Sequence, residues 1–522
     1  MSLSIVIGSG PAGVAAASAL LASGSEVVMV DVGEQLEPVH AARRVRMAQT
    51  EPSQWQRDDR DAAAGRDSEH AGTMRPFGSD FPFRIPAAAG DWKALSHVIS
   101  LRPSFAKGGL SNGWGASVLP FRDEDLDDWP IRTADLAPHY QAVASMLSVA
   151  TRSDDLAQLF PAYQLGADRP LPLSTQAQRL LARMGARRDR LTAMGVHFGQ
   201  SRQAVAEGCR RCAMCLHGCP YRLIFNAADM VDSLRAQNGF TYRPDSYAFR
   251  FEEGANGVRL WTRGASGEVS ELRGDRLFAA GGVLPTALLV LDSLDRPAYP
   301  VPVLDNQQFF LPMLHPWSTD PDPSEEPRHT LAQLFLEIVD PRVSAHTVHV
   351  QLYTHNDTFA VDMRRRFGAI VDPLTGILSR HLIVAQAFLH SDVSPHIEVV
   401  MRRAGSSARL EVRRSENVYA IATARRARRR LAVVARSVGL VPITPLSRVG
   451  ALGSSFHCGG SFPMSNNPKD LETDVLGRPA GLRRVHLVDA SVFPSIPATT
   501  ITFSAMANAH RIASQAADLP VE

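Results

Sequence analysis

The sequence predicts an α/β fold in two domains, one wound around a parallel sheet and the other an α+β unit built on a mainly antiparallel sheet. Three observations predict it. The chain has 522 residues, where a single domain takes roughly 100–200. Its N-terminus runs strand, glycine-rich turn, helix and strand between Met1 and Asp31. From Val301 to about Arg413 short strands dominate instead, and in Gln333–Glu337 and His349–Tyr353 polar and apolar residues alternate, the period of a sheet with one polar face.

The N-terminal run carries the first chemistry. A core strand from Ser4 to Ile7 breaks into Gly8-Ser-Gly10-Pro11-Ala12-Gly13, followed by the alanine-rich helix Val14 to Ala22 and a second strand, Glu26 to Val30. In this G-x-G-x-x-G turn Gly8 permits the sharp reversal, Gly10 lets the backbone approach a pyrophosphate, and Gly13 lets helix and strand pack closely. The free N–H groups of the helix start meet the phosphate charge. Asp31 closes the second strand where an acid receives ribose hydroxyls, which disfavours a 2′-phosphate. FAD and NAD both fit this far.

Composition narrows the class. The 45% hydrophobic and 21% charged fractions are those of a globular chain. With 55 Lys+Arg against 53 Asp+Glu, a net charge of +2 announces no nucleic-acid partner. The one arginine-rich run, Ala424 to Gly439, places Ala427, Leu431, Val434 and Val438 on one helical stripe, so it reads as an amphipathic helix with a solvated face. No apolar run approaches the roughly 20 residues of a membrane span, and the N-terminus lacks the layout of a signal peptide, so a cytoplasmic protein is expected.

Four of the five cysteines stand in Cys209-Arg-Arg-Cys212-Ala-Met-Cys215-Leu-His-Gly218-Cys219-Pro220. This is the C-x2-C-x2-C-x3-C-P spacing of bacterial ferredoxin loops. Four thiolates would hold one [4Fe–4S] cluster, the preferred expectation; three would hold a [3Fe–4S] cluster, and a zinc knuckle or a vestigial loop are the rivals. Cys458 reads as a packing residue.

Further segments carry a resemblance. Phe105-Ala-Lys107-Gly108-Gly109-Leu-Ser111-Asn112-Gly113-Trp114-Gly115 is a second glycine-rich stretch, and Asp128-Trp129-Pro130 through Pro138-His-Tyr140 follows it. Arg276 to Pro285 reads as a strand entering a helix, and Val485 to Pro497 as a strand ending in a polar turn before a helix from about Phe503 to Ala517. Together these resemble the glucose–methanol–choline (GMC) oxidoreductases, in a branch with a ferredoxin-like cysteine motif. The resemblance implies a Rossmann-like FAD-binding domain at 1–45, 100–125, 200–300 and 440–522. A substrate or cap domain at 46–99, 126–199 and 301–439 would complete the fold. FAD contacts are expected at Gly8, Gly10, Pro11, Ala12, Gly13 and Asp31, along Lys107, Gly108, Gly109, Ser111, Asn112, Gly113, Trp114 and Gly115, and at Ala280, Gly281, Asp489, Ala490, Thr500 and Thr502. Some relatives carry the flavin on a histidine where this chain has Gly113, so non-covalent FAD is implied.

Gly453-Ser-Ser-Phe-His457-Cys458-Gly459-Gly460-Ser461-Phe-Pro-Met464 resembles the family segment whose histidine faces the flavin. A base must take the hydroxyl proton when hydride leaves an alcohol carbon, and His457 is the candidate. The family pairs that histidine with Asn or His where this chain has Thr500, which can donate a hydrogen bond but cannot act as a cation. The expected function is oxidation of a CH–OH group, in a small polar alcohol, sugar or glycoside, to a carbonyl by hydride transfer to flavin, electrons leaving through an iron–sulfur cluster to an acceptor protein. Alternatives are an oxygen-using alcohol oxidase without iron and a flavin/iron–sulfur reductase or electron-transfer component. Gln333, Glu337, His349, Gln351 and Tyr353 are weak candidates for substrate contacts from the polar sheet face, which could equally be solvated. The polar stretch between Glu34 and Asp91 reads as a long surface insertion.

Overall fold

The structure is a computed structural model that describes residues 2–65, 75–90, 92, 95, 98–161, 163, 168–356, 378–404 and 407–520. The parallel sheet forms where the N-terminal pattern predicts it. Leu3–Ile7 lies at its centre between Glu26–Val30 and Arg276–Ala279, with Phe240–Arg243 and Val485–Leu487 at the edges, and every pairing is parallel. Covered on both faces, such strands must be apolar throughout, and Ile5 and Val6 are fully buried. The first helix spans Pro11–Ala22, starting three residues before its alanine run because Pro11 fixes φ for a first turn. The C-terminal helix, Thr502–Ala517, packs along it; small residues on both let the backbones approach.

The second sheet is antiparallel. Its main path runs Val441–Pro442, Gln308–Leu314, Leu382–Phe388, Val348–Tyr353, Leu334–Ile338 and Val196–Gln200. One face, with Leu334, Leu336, Val348, Val350 and Ile383, buries against the helices Thr175–Gly185 and Ala420–Ser437. The stripe Ala427, Leu431, Val434 and Val438 is buried here as its spacing predicts, and Gly439 at φ 87° ends the helix. The other face holds Glu337, His349, Gln351 and Tyr353, and all four are buried. A solvated polar face is therefore excluded: it looks inward.

A third sheet pairs Pro300–Asp305 with His396–Ala404 and with Cys458–Gly459, and His396–Ala404 with Ser407–Ser415, all antiparallel. Val301, Val303, Ile397 and Val399 share one core with the parallel sheet, so this sheet joins the two halves. The stretch from Glu34 to Asp91 contains the helices Pro38–Ala48 and Arg57–Ala63; its residues 66–74 and 91 lie outside the described residues. Met47 and Ala63 pack with Met214 and Cys212, so the insertion covers the cysteine loop. Among the described residues no helix is long and apolar enough to cross a membrane.

Candidate active site

The nucleotide groove is built by close backbone approach. A Cβ on Gly8, at φ 89°, would meet Ala280 O at 2.4 Å, and one on Gly13 would meet Gly8 O at 2.0 Å. A Cβ on Gly10 would meet nothing within 4 Å, so the turn is crowded behind and open in front, where a pyrophosphate would lie. Asp31 lies at the end of the groove. Burial pushes its carboxyl up to about 7, although Ser9 Oγ and the Tyr242 hydroxyl, the latter at 3.1 Å, donate to Oδ2.

The second glycine-rich stretch is tied to this turn. Gly108 N–H donates to Ser9 Oγ at 2.9 Å. Ser111 Oγ accepts from Ala227 N–H at 2.9 Å, Asn226 Nδ2 donates to Asn112 Oδ1 at 3.0 Å, and Trp114 Nε1 donates to Phe225 O at 3.0 Å. Asn226 also caps the helix Ala227–Leu234. Lys107 pairs with Asp232 and lies over the Tyr242 ring. Gly113 and Gly115 flank Trp114 at the end of the stretch. On the opposite wall, Ala280 and Gly281 enter the helix Val283–Ser293. Asp489 fastens that helix start to Ala490, with Oδ2 accepting from Gly282 N–H at 2.9 Å and Thr286 Oγ1 at 2.6 Å, and Oδ1 accepting from Ser491 N–H at 2.9 Å. Ser491 Oγ and Thr499 Oγ1 are buried without a partner. An open glycine cradle at a helix start, a buried acid and orphaned hydroxyls near the second helix start fit a dinucleotide such as FAD.

His457 lies where three segments meet. Gly459 must be glycine, since a Cβ there would sit 2.3 Å from Ala490 O, and this contact sets the histidine beside the 489–497 turn. Asn306, directly after the strand Pro300–Asp305, places Nδ2 3.1 Å from His457 Nδ1 and donates to Pro497 O at 3.1 Å. Its Oδ1 is buried and unpartnered. The Phe388 ring stacks on His457 at 5.1 Å and on His349 at 5.9 Å. Burial pushes the His457 imidazole down to about 3, with a smaller push from His349. Thr500 Oγ1 accepts Leu119 N–H at 2.9 Å, which leaves its hydroxyl hydrogen to donate, and Asn306 is a further residue that holds the histidine. Thr502 opens the C-terminal helix. Nothing local to Asn306 marks it, because its partner lies 151 residues away.

The inward polar face is hydrogen-bonded in one direction. The Tyr353 hydroxyl donates to Gln351 Oε1 at 2.8 Å, Gln351 Nε2 lies 3.2 Å from His349 Nε2, and His349 Nδ1 lies 2.6 Å from Glu337 Oε1. Gln386 donates to Gln308, and Gln308 Nε2 to Ser454 Oγ at 2.9 Å, which reaches the His457 loop. Gln333 lies apart, bonded to Ser174 and His329.

The cysteine loop is a separate construction. Cys209, Cys212, Cys215 and Cys219 line one cavity with Leu171, Tyr221 and His329, and no disulfide joins them. Arg211 and Ala213 sit at positive φ between the first three cysteines, as does Gly218 before the fourth, a winding that non-glycine residues adopt only under constraint. Thr330 N–H points at Cys215 Sγ at 3.5 Å. Among the described residues the only three ligand atoms of His, Cys, Asp or Glu within 4.8 Å of one another lie elsewhere, so no three thiols approach the about 3.8 Å separation that a tetrahedral site with Zn–S of about 2.3 Å requires. The loop is roofed by the insertion, with Tyr221 stacked on Trp55 and bonded to Thr50 O, and it runs directly into Phe225 and Asn226, which hold the second glycine-rich stretch. Cys458 stands apart, buried with its thiol donating to Asp305 Oδ1 at 3.6 Å.

Comparison with known proteins gives one family match. Residues 397–509 match the model of the GMC oxidoreductase family, the stretch that carries His457, Asp489 and Thr500. No curated protein matches the sequence. Among solved structures, the chain is similar to pyridoxine 4-oxidase from Mesorbium loti, at 16% identity and a TM-score of 0.62, over 99% of both chains. It is similar too to a formate oxidase variant of Aspergillus oryzae RIB40 described for its effect on FAD modification, at 14% identity and a TM-score of 0.63, over 99% of this chain and 98% of that one. The fold over the whole length is thus the one those oxidases share, a unit wound around a parallel sheet joined to one built on an antiparallel sheet.

Proposed function

We propose that this chain is an FAD-dependent oxidoreductase of the GMC type that oxidises a CH–OH group to a carbonyl. The observation that carries the reading is His457, held between the GMC-matching C-terminal segment and the inward polar sheet. FAD, with Gly113 in place of a histidine that could bind it covalently, would be held non-covalently and would supply the hydride acceptor. The chain's own residues handle the proton. Asn306 selects the tautomer: while its Nδ2 donates to Nδ1 and to Pro497 O, the neutral ring carries its proton on Nε2, and turning the amide over, which gives up the Pro497 bond, lets Oδ1 accept Nδ1–H and makes Nε2 the base that takes the hydroxyl proton. Tyr353, Gln351, His349 and Glu337 offer donors and acceptors for further hydroxyls, which supports a sugar, glycoside or similarly polar alcohol as substrate.

The cysteine loop holds an iron–sulfur cluster in this reading, [4Fe–4S] in preference to [3Fe–4S]. The ferredoxin spacing and the shared cavity support it. Such a cluster supplies one-electron transfer toward an acceptor protein.

The reading is tested by adding sugars and primary alcohols anaerobically to the FAD-loaded protein. At least one should bleach the flavin, and because the His457 imidazole titrates at about 3, the bleaching rate should stay flat from neutral pH downward and fall only as pH nears that value. Bleaching by reduced ferredoxin and by no alcohol would overturn alcohol oxidation. Asp31 yields a second expectation. Burial holds its carboxyl at about 7 in the FAD-free chain, and ribose hydroxyls donate more strongly to the ionised form. FAD binding should therefore release a proton and tighten as pH rises to about 7, by up to about tenfold per unit. Fluorescence titration of the apoprotein would check this, and Asp31→Asn should flatten the dependence.

A further inference from the structure

Outside the site described above, a cluster of possible metal ligands among the described residues has no role assigned so far. His346, in the turn before the strand Val348–Tyr353, meets His390 and Asp392, which follow the strand Leu382–Phe388. Their ligand atoms lie within 4.8 Å of one another. His346 Nε2 is 3.2 Å from Asp392 Oδ2, His390 Nδ1 is 3.3 Å from Asp392 Oδ1, and the two rings lie face to face at 3.7 Å, 7° from parallel. His390 is buried and Asp392 reaches solvent, so the cluster has both an anchored side and an open one.

A proton satisfies this arrangement badly. Two imidazoles stacked this closely repel one another if both are charged. His390 Nδ1 also receives Asp392 N–H at 3.2 Å; as an acceptor there, it leaves a nitrogen lone pair and a carboxylate oxygen side by side. A divalent cation taken up here replaces the Asp392 N–H on His390 Nδ1 and, because it must lie in the plane of each ring it binds, turns the stacked rings toward itself. Two imidazoles and a carboxylate are the ligand set of borderline metals such as zinc, cobalt and nickel, with positions left for water.

We infer that His346, His390 and Asp392 form a binding site for a divalent transition-metal ion. The same turn is laced to the segments around His457. Ser391 N–H donates to Ile496 O at 2.9 Å, Ile496 N–H donates to Ser391 Oγ at 2.9 Å, and Gln307 N–H donates to Ser394 Oγ at 3.0 Å. A bound ion therefore stiffens the turn that backs Asn306 and Pro497. The binding claim itself stands independently of the proposed reaction.

Cobalt(II) is the probe that separates this site from the cysteine loop, since nitrogen and oxygen ligands give weak visible bands and thiolates give intense charge transfer. Titrating the FAD-loaded protein with cobalt(II) should reveal one site per chain with the weak, thiolate-free signature. His346→Ala and the isosteric Asp392→Asn should each weaken it by at least about tenfold, with flavin content and far-UV spectrum unchanged to confirm folding. Titrations indistinguishable from wild type in both folded variants, or a wild-type spectrum with thiolate bands alone, would overturn the inference.

Discussion

Replacing His457 with alanine is expected to slow alcohol-driven flavin reduction by about 10²–10⁴-fold, the usual worth of a positioned general base, while leaving FAD bound. The separation follows from where the ring stands. Its contacts are Asn306 and Phe388, neither of which lines the Gly8–Gly13 turn or touches Asp31, so the nucleotide groove loses nothing. Anaerobic stopped-flow reduction of the purified variant measures the rate, and the flavin-to-protein absorbance ratio measures binding; reduction near the wild-type rate would remove His457 from the mechanism. Asn306 supplies the finer control. Asn306→Asp would set a carboxylate against Nδ1–H, stabilise the charged ring and move the fall in rate from about 3 to higher pH. Asn306→Ala should lower the rate without moving it, because nothing then selects the tautomer.

What the sequence revealed and concealed divides along a physical line. The parallel sheet was legible because the demands on it are local: a strand buried on both faces must be apolar, and the turn must have glycine where Ala280 and Gly8 crowd it. The helix Ala420–Ser437 was legible for the same reason, its stripe recurring at helical spacing. Alternation in Leu334–Ile338 and Val348–Tyr353 gave the two faces of a sheet but could not say that the polar one is buried, since that depends on what lies opposite. Asn306 and the covering of the cysteine loop by Met47, Trp55 and Ala63 were illegible, being contacts between segments with no periodicity to connect them. Thr500, the expected auxiliary, takes Leu119 N–H on its Oγ1, a long-range contact that its own segment does not announce.

The cysteine loop allows the other all-or-none result. Cys215→Ser is expected to remove iron and acid-labile sulfide almost completely, together with the broad visible absorption beneath the flavin bands, because a serine hydroxyl is a poor, hard substitute for a soft thiolate. FAD should remain, since the flavin-side loop is held by Asn226 and Phe225 through bonds that do not involve the thiols. Reduction of the flavin by alcohol should therefore survive while transfer to a one-electron acceptor is lost, so the two half-reactions part company in a single variant. Cys209→Ser, Cys212→Ser and Cys219→Ser extend the test to nuclearity: loss of iron in all four variants means that every thiolate holds metal, as a [4Fe–4S] cluster requires, whereas one variant that keeps three irons per chain would mark a [3Fe–4S] cluster with a spare cysteine. Stoichiometric zinc and no iron in anaerobically purified wild-type protein would overturn the cluster outright. It would also require the loop to close, because no three sulfurs now lie within 4.8 Å of one another.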